Sequence, residues 1–93
     1  RDLALDGLVA AARLEDALAP LRGAGAEERG TGALRFAVLG DAAGPVAALL
    51  EARGIHPARV GGVLRFAPPL DAPPERFDAL QTALERAARE HLS

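Results

Sequence analysis

Arg65 is the residue whose setting most favours a chemical role. It lies in the middle of the apolar run 63–67, where Leu64 and Phe66 are expected to face a core. Because side chains alternate along a strand, the Arg65 guanidinium points to the opposite face. A guanidinium on a largely apolar face needs water, a protein carboxylate or an anionic ligand. Its fixed fork of donors suits a carboxylate; the alternative is an ordinary arginine on an exposed sheet face.

The histidines and acidic residues do not indicate a catalytic or metal site. His56 precedes Pro57 in a loop, His91 lies near the end of the chain, and neither has a partner at metal-ligand spacing. The acidic residues are dispersed over turns and helix faces, so no catalytic carboxylate pair stands out. We therefore predict no catalytic residue and no metal ligand in this chain.

The glycine-rich segments do not match a nucleotide-binding loop. The segment Gly30-Thr31-Gly32 precedes a predicted strand, whereas a dinucleotide loop follows one. The segment 40–44 follows a strand and precedes a helix, but it lacks the G-x-G-x-x-G spacing. That helix, beginning near Pro45, could offer its amides to an anion, although an ordinary tight turn is the simpler interpretation. We predict no cofactor-binding residue.

The composition excludes several classes of chemistry. All eleven basic residues are arginine, and lysine, cysteine, methionine, tryptophan and tyrosine are absent. Thiol catalysis, disulfides, thiolate metal sites and a lysine Schiff base are therefore impossible within these residues. A net charge of −2 argues against nucleic acid or an anionic membrane as partner, and no apolar stretch approaches the roughly 20 residues of a membrane helix. The absence of cysteine suits a reducing compartment, so we expect a cytoplasmic protein.

The first half of the chain reads as a helix followed by a strand. We predict a helix over Leu3–Arg22, which Pro20 ends or kinks. Its apolar side is expected to consist of Leu8, Ala11, Leu14, Leu18 and Leu21. We predict a strand over Ala33–Leu39. Its buried side is expected to hold Leu34, Phe36 and Val38.

The second half reads as helix, hairpin and helix. A helix from Pro45 should end at Gly54 as its C′ residue, with Ile55 packing back as in a Schellman motif. Gly61-Gly62 suggests a tight hairpin before a strand over 63–67. In a two-residue turn, Arg59 would pair with Leu64 and share its core face; a longer loop would avoid that conflict. The last helix opens at 71–75. Its apolar positions are Phe77, Leu80, Leu84, Ala87 or Ala88, and Leu92.

These elements predict a single small α+β domain over residues 1–93. The order is α-β-α-β-β-α, with a short, mostly antiparallel sheet covered by helices on one side as a two-layer sandwich.

The residues around Arg65 resemble the end of fold-type I pyridoxal-phosphate enzymes. The segment 62–70 (GVLRFAPPL), followed by 74–80 (PERFDAL), is similar to the family's last strand and final helix. Segments 49–55 (LLEARGI) and 29–36 (RGTGALRF) resemble earlier elements of the same small domain. Their order and spacing fit best the class V branch, which includes cysteine desulfurases and related aminotransferases and lyases. Class III aminotransferases are the second match.

The resemblance implies a small C-terminal domain in which Arg65 binds the α-carboxylate of an amino-acid substrate. It implies pyridoxal phosphate for the full enzyme, whose cofactor lysine, aspartate and phosphate-binding residues belong to a large domain outside this chain. The chain begins with Arg1 in place of methionine, so we expect a fragment, a split subunit or a degenerate stand-alone domain. Its partners would be the large domain and a small amino-acid substrate, and a homodimer stays open. We expect no catalysis by the isolated chain.

Two alternatives come from other classes of protein. Segment 34–38, with Asp41, Gly44, a helix and 54–55, also resembles the first strand, ligand loop and helix of ACT domains. That resemblance implies a non-catalytic amino-acid-binding module, although the usual last strand is missing. A purely structural module would instead have an apolar sheet face around Val63 and Ala67, covered by another chain.

Overall fold

The N-terminal helical segment is divided at Leu18. In the computed structural model, which describes residues 3–69 and 71–92, helix α1 spans Leu3–Ala17 and helix α2 spans Ala19–Gly23. Pro20 lies in the first turn of α2, where its missing amide hydrogen costs no helical hydrogen bond. The single helix predicted over Leu3–Arg22 is therefore two helices. Leu70, the last residue of the segment 62–70, lies outside the described residues, as do Arg1, Asp2 and Ser93.

The buried side of α1 differs from the predicted one near its start. The sequence pattern assigned Leu8 to the core side, but Leu8 is 70% exposed. The core side of this segment instead consists of Ala10, Leu14, Ala17, Leu18 and Leu21. Leu5 is also exposed, so the first turns of α1 extend past the elements that cover its C-terminal half. A periodicity common to both halves of the helix could not reveal that difference.

A strand that the sequence pattern missed forms one edge of the sheet. Strand β1 spans Glu27–Thr31 and pairs antiparallel with β2, which spans Leu34–Val38. The two strands are joined by a tight turn, in which Gly32 has a φ of 63° that favours glycine. Charged residues dominate β1 and its burial pattern does not alternate. Its backbone pairing with β2, and not an apolar face, therefore holds it in the sheet.

The remaining strands complete a four-stranded antiparallel sheet in the order β1-β2-β4-β3. Strand β3 spans Ala58–Val60 and β4 spans Val63–Phe66. Arg59 pairs with Leu64 and Val60 with Val63, so the two-residue hairpin forms in the register that appeared to conflict with the core. Because β3 is an edge strand, the Arg59 side chain leaves the sheet and reaches α3, where a Cβ built on Gly44 would lie 3.1 Å from Arg59 Nη1.

The predicted buried face of β2 is wrong, whereas that of β4 is confirmed. Leu64 and Phe66 are buried, and they pair with Ala37 and Arg35 of β2. Paired residues lie on the same face, so Ala37 and Arg35 face the helices while Leu34 is 44% exposed. Alternation selected the more apolar side of β2, but the side with Ala37 and Arg35 lies inside because Arg35 is paired there with glutamates of α1 and β1.

The other two helices cover the same side of the sheet. Helix α3 spans Ala43–Glu51, after a 3₁₀ turn over Gly40–Ala42. It ends in the predicted Schellman motif: Ile55 N–H donates to Leu50 O at 3.0 Å and Gly54 N–H to Glu51 O at 3.0 Å. Helix α4 spans Pro74–Ala87 and continues as a π-helical turn over Ala88–Leu92. Its predicted apolar positions are buried at Phe77, Leu80, Leu84 and Ala87.

The predicted two-layer α+β sandwich is confirmed, with β1 added to the predicted element order. The core lies between the helices and the inner side of β2 and β4. Among the described residues, no helix is long and apolar enough to cross a membrane.

Candidate functional site

Arg65 lies on the outer face of the sheet, as the alternation in β4 predicted. It pairs with Phe36 on one side and Ala58 on the other. Its side chain is exposed and makes no hydrogen bond or ion pair with any residue in 3–69 or 71–92. The guanidinium is therefore available to a ligand or to another protein surface.

The outer face around Arg65 is largely apolar. Phe36, Val38 and Val63 are half-buried there, and no helix of the described chain covers this side. Val60, at the hairpin, is 80% exposed. We call this surface, defined by Phe36, Val38, Val60 and Val63, the outer apolar face. Arg65 lies on this face, as the sequence predicted for an arginine on a largely apolar side of the sheet.

Beside Arg65, a cleft of about 500 Å³ opens where β4 leaves the sheet. Its floor is apolar and is made by side chains from α1, the 54–57 loop, β4 and α4. These are Leu14, Ile55, Phe66, Phe77 and Leu80. We call it the basic cleft, because its ionisable lining residues are all arginine or histidine: Arg53, His56, Arg65 and Arg76.

Three segments of the chain bring these basic residues together. Arg53 follows the last turn of α3, His56 lies in the loop after its Schellman cap, Arg65 belongs to β4 and Arg76 to the first turn of α4. Among the described lining residues there is no aspartate or glutamate. The cleft is therefore cationic in a chain whose net charge is −2.

Arg35 contrasts with Arg65, although both lie between apolar neighbours in a strand. On the helix side of the sheet, Arg35 Nη1 lies 2.7 Å from Glu28 Oε1 and 2.8 Å from Glu15 Oε2. Its Nε donates to Gly32 O at 3.0 Å. Arg22 completes the cluster through Glu28 Oε2 at 3.0 Å. These four charges satisfy one another, so Arg35 serves structure and not ligand binding.

The sequence singled out Arg65 but not the other basic residues of the cleft. Arg53 appeared there only within the segment 49–55, Arg76 only within the segment 74–80, and His56 as a loop residue. The spacing of residues 53, 56 and 76 in the sequence does not indicate a binding site. Only the packing of the α3 end against the α4 start brings them to one cleft. The remaining histidine, His91, lies in the final π-helical turn and does not line it.

Within the described residues, no group of three or more histidine and acidic side chains could hold a metal ion.

Comparisons with known proteins identify the fold. A scan against protein-family models finds no match, and a search of curated proteins finds none. Among solved structures, a transaminase described with L-alanine aligns at a TM-score of 0.80 and 23% identity, over 97% of this chain and 25% of that one. An omega transaminase from Pseudomonas jessenii aligns at 0.76 and 16% identity, over 96% and 23%. Lysine aminotransferase from M. tuberculosis aligns at 0.66 and 23% identity, over 91% and 20%.

The chain therefore spans about a quarter of the length of the transaminases it matches. At these identities the likeness shows the fold, and the chain resembles part of an aminotransferase. The matched structures are pyridoxal-phosphate-dependent aminotransferases of class III, which was the second resemblance; the class V branch is not shown. The motifs quoted for class V are short, so their order alone could not separate the two branches.

Proposed function

We propose that this chain is the small C-terminal domain of a class III-like aminotransferase, and that Arg65 binds the carboxylate of its amino-acid substrate. The observation that carries the proposal is the combination of an aminotransferase fold with an unpaired Arg65 on the outer face. An arginine fork binds a carboxylate through two parallel hydrogen bonds. No competing carboxylate of the described chain reaches it.

The outer apolar face supports a large partner domain. The structures matched are four to five times longer than this chain, because it covers 20–25% of them. Half-buried Phe36, Val38 and Val63 would lose their remaining water contact under a covering domain, which favours association. A large domain placed over this face would also bring its active site towards Arg65. The first turns of α1, with Leu5 and Leu8 exposed, offer a second surface for the same partner.

The cofactor that the fold implies does not fit this chain alone. Pyridoxal phosphate is held in such enzymes by a lysine, through a Schiff base, and the chain has no lysine. The lysine that holds the cofactor, and the residues that bind the cofactor's phosphate, would belong to the partner domain. The contribution of this chain is to orient the substrate through Arg65 and to close one side of the active site.

An assembly with the large domain tests the role of Arg65. Arg65→Ala should raise the KM for the amino-acid substrate at least about tenfold, because a charge-assisted bidentate contact is lost. Steady-state kinetics over a range of amino-acid concentrations measure the change. Arg29→Ala is the matched control, since Arg29 lies on the same sheet face in β1 and is paired with Glu27 at 2.9 Å. A KM equal to that of the parent for Arg65→Ala would contradict the assignment.

Titration of the isolated chain with free amino acids separates this proposal from the ACT-like alternative. A substrate-binding arginine without its large domain should show no measurable binding by isothermal titration calorimetry. Micromolar affinity for a free amino acid would favour an amino-acid-binding module in its place.

A further inference from the structure

The basic cleft has the composition of an anion-binding site that belongs wholly to this chain. We propose that it binds a small organic anion in which an apolar body carries a terminal carboxylate or phosphate and no amino group. The proposal does not rest on the aminotransferase function, because the residues that carry it are Arg53, His56 and Arg76 and the floor beneath them. Arg65 borders the same cleft, but its role in substrate binding is a separate question.

The donors around the cleft are largely unused by the protein. Arg53 makes one long hydrogen bond, from Nη1 to Leu49 O at 3.4 Å. His56 and Arg76 make none with the residues that the structure describes, and neither takes part in an ion pair there. Elsewhere in the chain, Arg22, Arg29, Arg35 and Arg86 each have a carboxylate partner. Arg53, Arg65 and Arg76, which have no carboxylate partner among the described residues, therefore lie together at the cleft, whereas Arg13 and Arg59, which also have none, lie elsewhere.

The floor of the cleft selects a ligand with an apolar body. Phe66 contributes from β4 and Ile55 from the loop after α3, and Phe77 and Leu80 contribute from α4. Contact with such a floor removes apolar ligand surface from water, which favours binding. A volume of about 500 Å³ accommodates a single aromatic ring with a short acidic side chain.

The charges around the cleft disfavour an amino group. A free amino acid carries an ammonium, and an ammonium needs a carboxylate or several carbonyl acceptors when it leaves water. The described lining contains no acidic side chain. Asp71 and Glu75 lie nearby in the sequence without lining the cleft. An anion without an ammonium therefore matches the lining better than an amino acid does.

Nuclear magnetic resonance titration of the ¹⁵N-labelled chain tests the site directly. The probes are 3-phenylpropionate and phenyl phosphate, with 3-phenylpropionamide and 3-phenylpropylamine as neutral and cationic counterparts of similar shape. Both anions should shift the amide signals of residues 53–56 and 75–80 with a saturating curve. The anion that binds with the lower Kd then shows whether the cleft prefers a carboxylate or a phosphate. Arg53→Ala and Arg76→Ala should each weaken binding roughly three- to fivefold, as expected for exposed charge pairs.

Arg86→Ala is the matched control, because Arg86 is on the same helix as Arg76 but pairs with Glu90 and does not line the cleft. Its affinity for the anions should equal that of the parent chain. Each spectrum also reports whether the variant is folded. The proposal is overturned if the neutral amide binds as well as the anions, if Arg86→Ala weakens binding as much as Arg53→Ala, or if no saturable shift occurs.

Discussion

Arg35 and Arg65 show that the role of an arginine depends on the side of the sheet that it occupies. Both lie in strands between apolar neighbours, and alternation is the same for both. Arg35 faces the helices, where Glu15 and Glu28 neutralise it. Arg65 faces outwards and has no such partner among the described residues. The difference lies in the helix that covers one face and leaves the other open.

Removing the Arg35 guanidinium should destabilise the fold. Its side chain is 17% exposed and that of Glu28 is 13% exposed, so the pair lies between an exposed ion pair and a buried one. Arg35→Ala should lower the free energy of unfolding by about 1–2 kcal/mol, because Glu28 would keep Arg22 but lose its shortest contact. Urea unfolding followed by circular dichroism measures the change. Arg29→Ala, whose pair is largely exposed, should change it by less than about 0.5 kcal/mol.

Gly62 is required by a close approach between two backbones. A Cβ built on it would lie 2.7 Å from Gly40 Cα, and its carbonyl accepts hydrogen bonds from Leu39 N–H at 2.8 Å and Gly40 N–H at 3.0 Å. Gly62→Ala should therefore destabilise the chain by about 1–3 kcal/mol, as overpacking does. Thermal unfolding checks this expectation. An unchanged melting temperature would show that the hairpin and the 3₁₀ turn do not need this contact.

At the level of elements, local signals predicted some boundaries well. The Schellman end of α3 and the buried side of α4 are confirmed, because cap hydrogen bonds and helical periodicity depend on neighbouring residues. Strand β1 was missed for the converse reason. Its five residues, EERGT, have no apolar period, and its pairing with β2 and the cluster around Arg35 make it a strand.

A glycine within α1 offers a position at which the fold can be stabilised. Gly7 lies in the helix with no heavy atom within 4 Å of a built Cβ. Gly7→Ala should raise the free energy of unfolding by up to about 1 kcal/mol, because glycine loses more backbone freedom in a helix than alanine does. Urea unfolding of the single variant measures this gain. A loss of stability would mean that α1 does not begin as early as Leu3.

At the scale of the whole molecule, the chain has one covered and one open sheet face. The helices bury the inner side, while the outer apolar face remains in contact with water. Such a surface is the expected form of a domain that packs against a larger body. The proposal of a partner domain therefore rests on the distribution of apolar area over the entire fold.

A charge on the outer apolar face should separate folding from assembly. Val60 is 80% exposed, so Val60→Glu should change the free energy of unfolding of the isolated chain by less than about 0.5 kcal/mol. Association with the large domain should weaken at least about tenfold, because burying a carboxylate without a partner is costly. Thr82→Glu, on the exposed side of α4, is the control. Equal affinities for Val60→Glu and the parent chain would exclude this face as the interface.

The sequence by itself determined the α+β class, the hairpin glycines, the buried side of α4 and the prominence of Arg65, since each depends on local spacing. It also determined that a lysine-bound cofactor cannot be held by these residues. Only the tertiary structure decided which face of β2 is inside, that β1 exists, and that Arg53, His56 and Arg76 meet in one cleft. Those features depend on contacts between residues distant in the chain, and the alternation in β2 marks its more apolar side but not the side that a helix will cover.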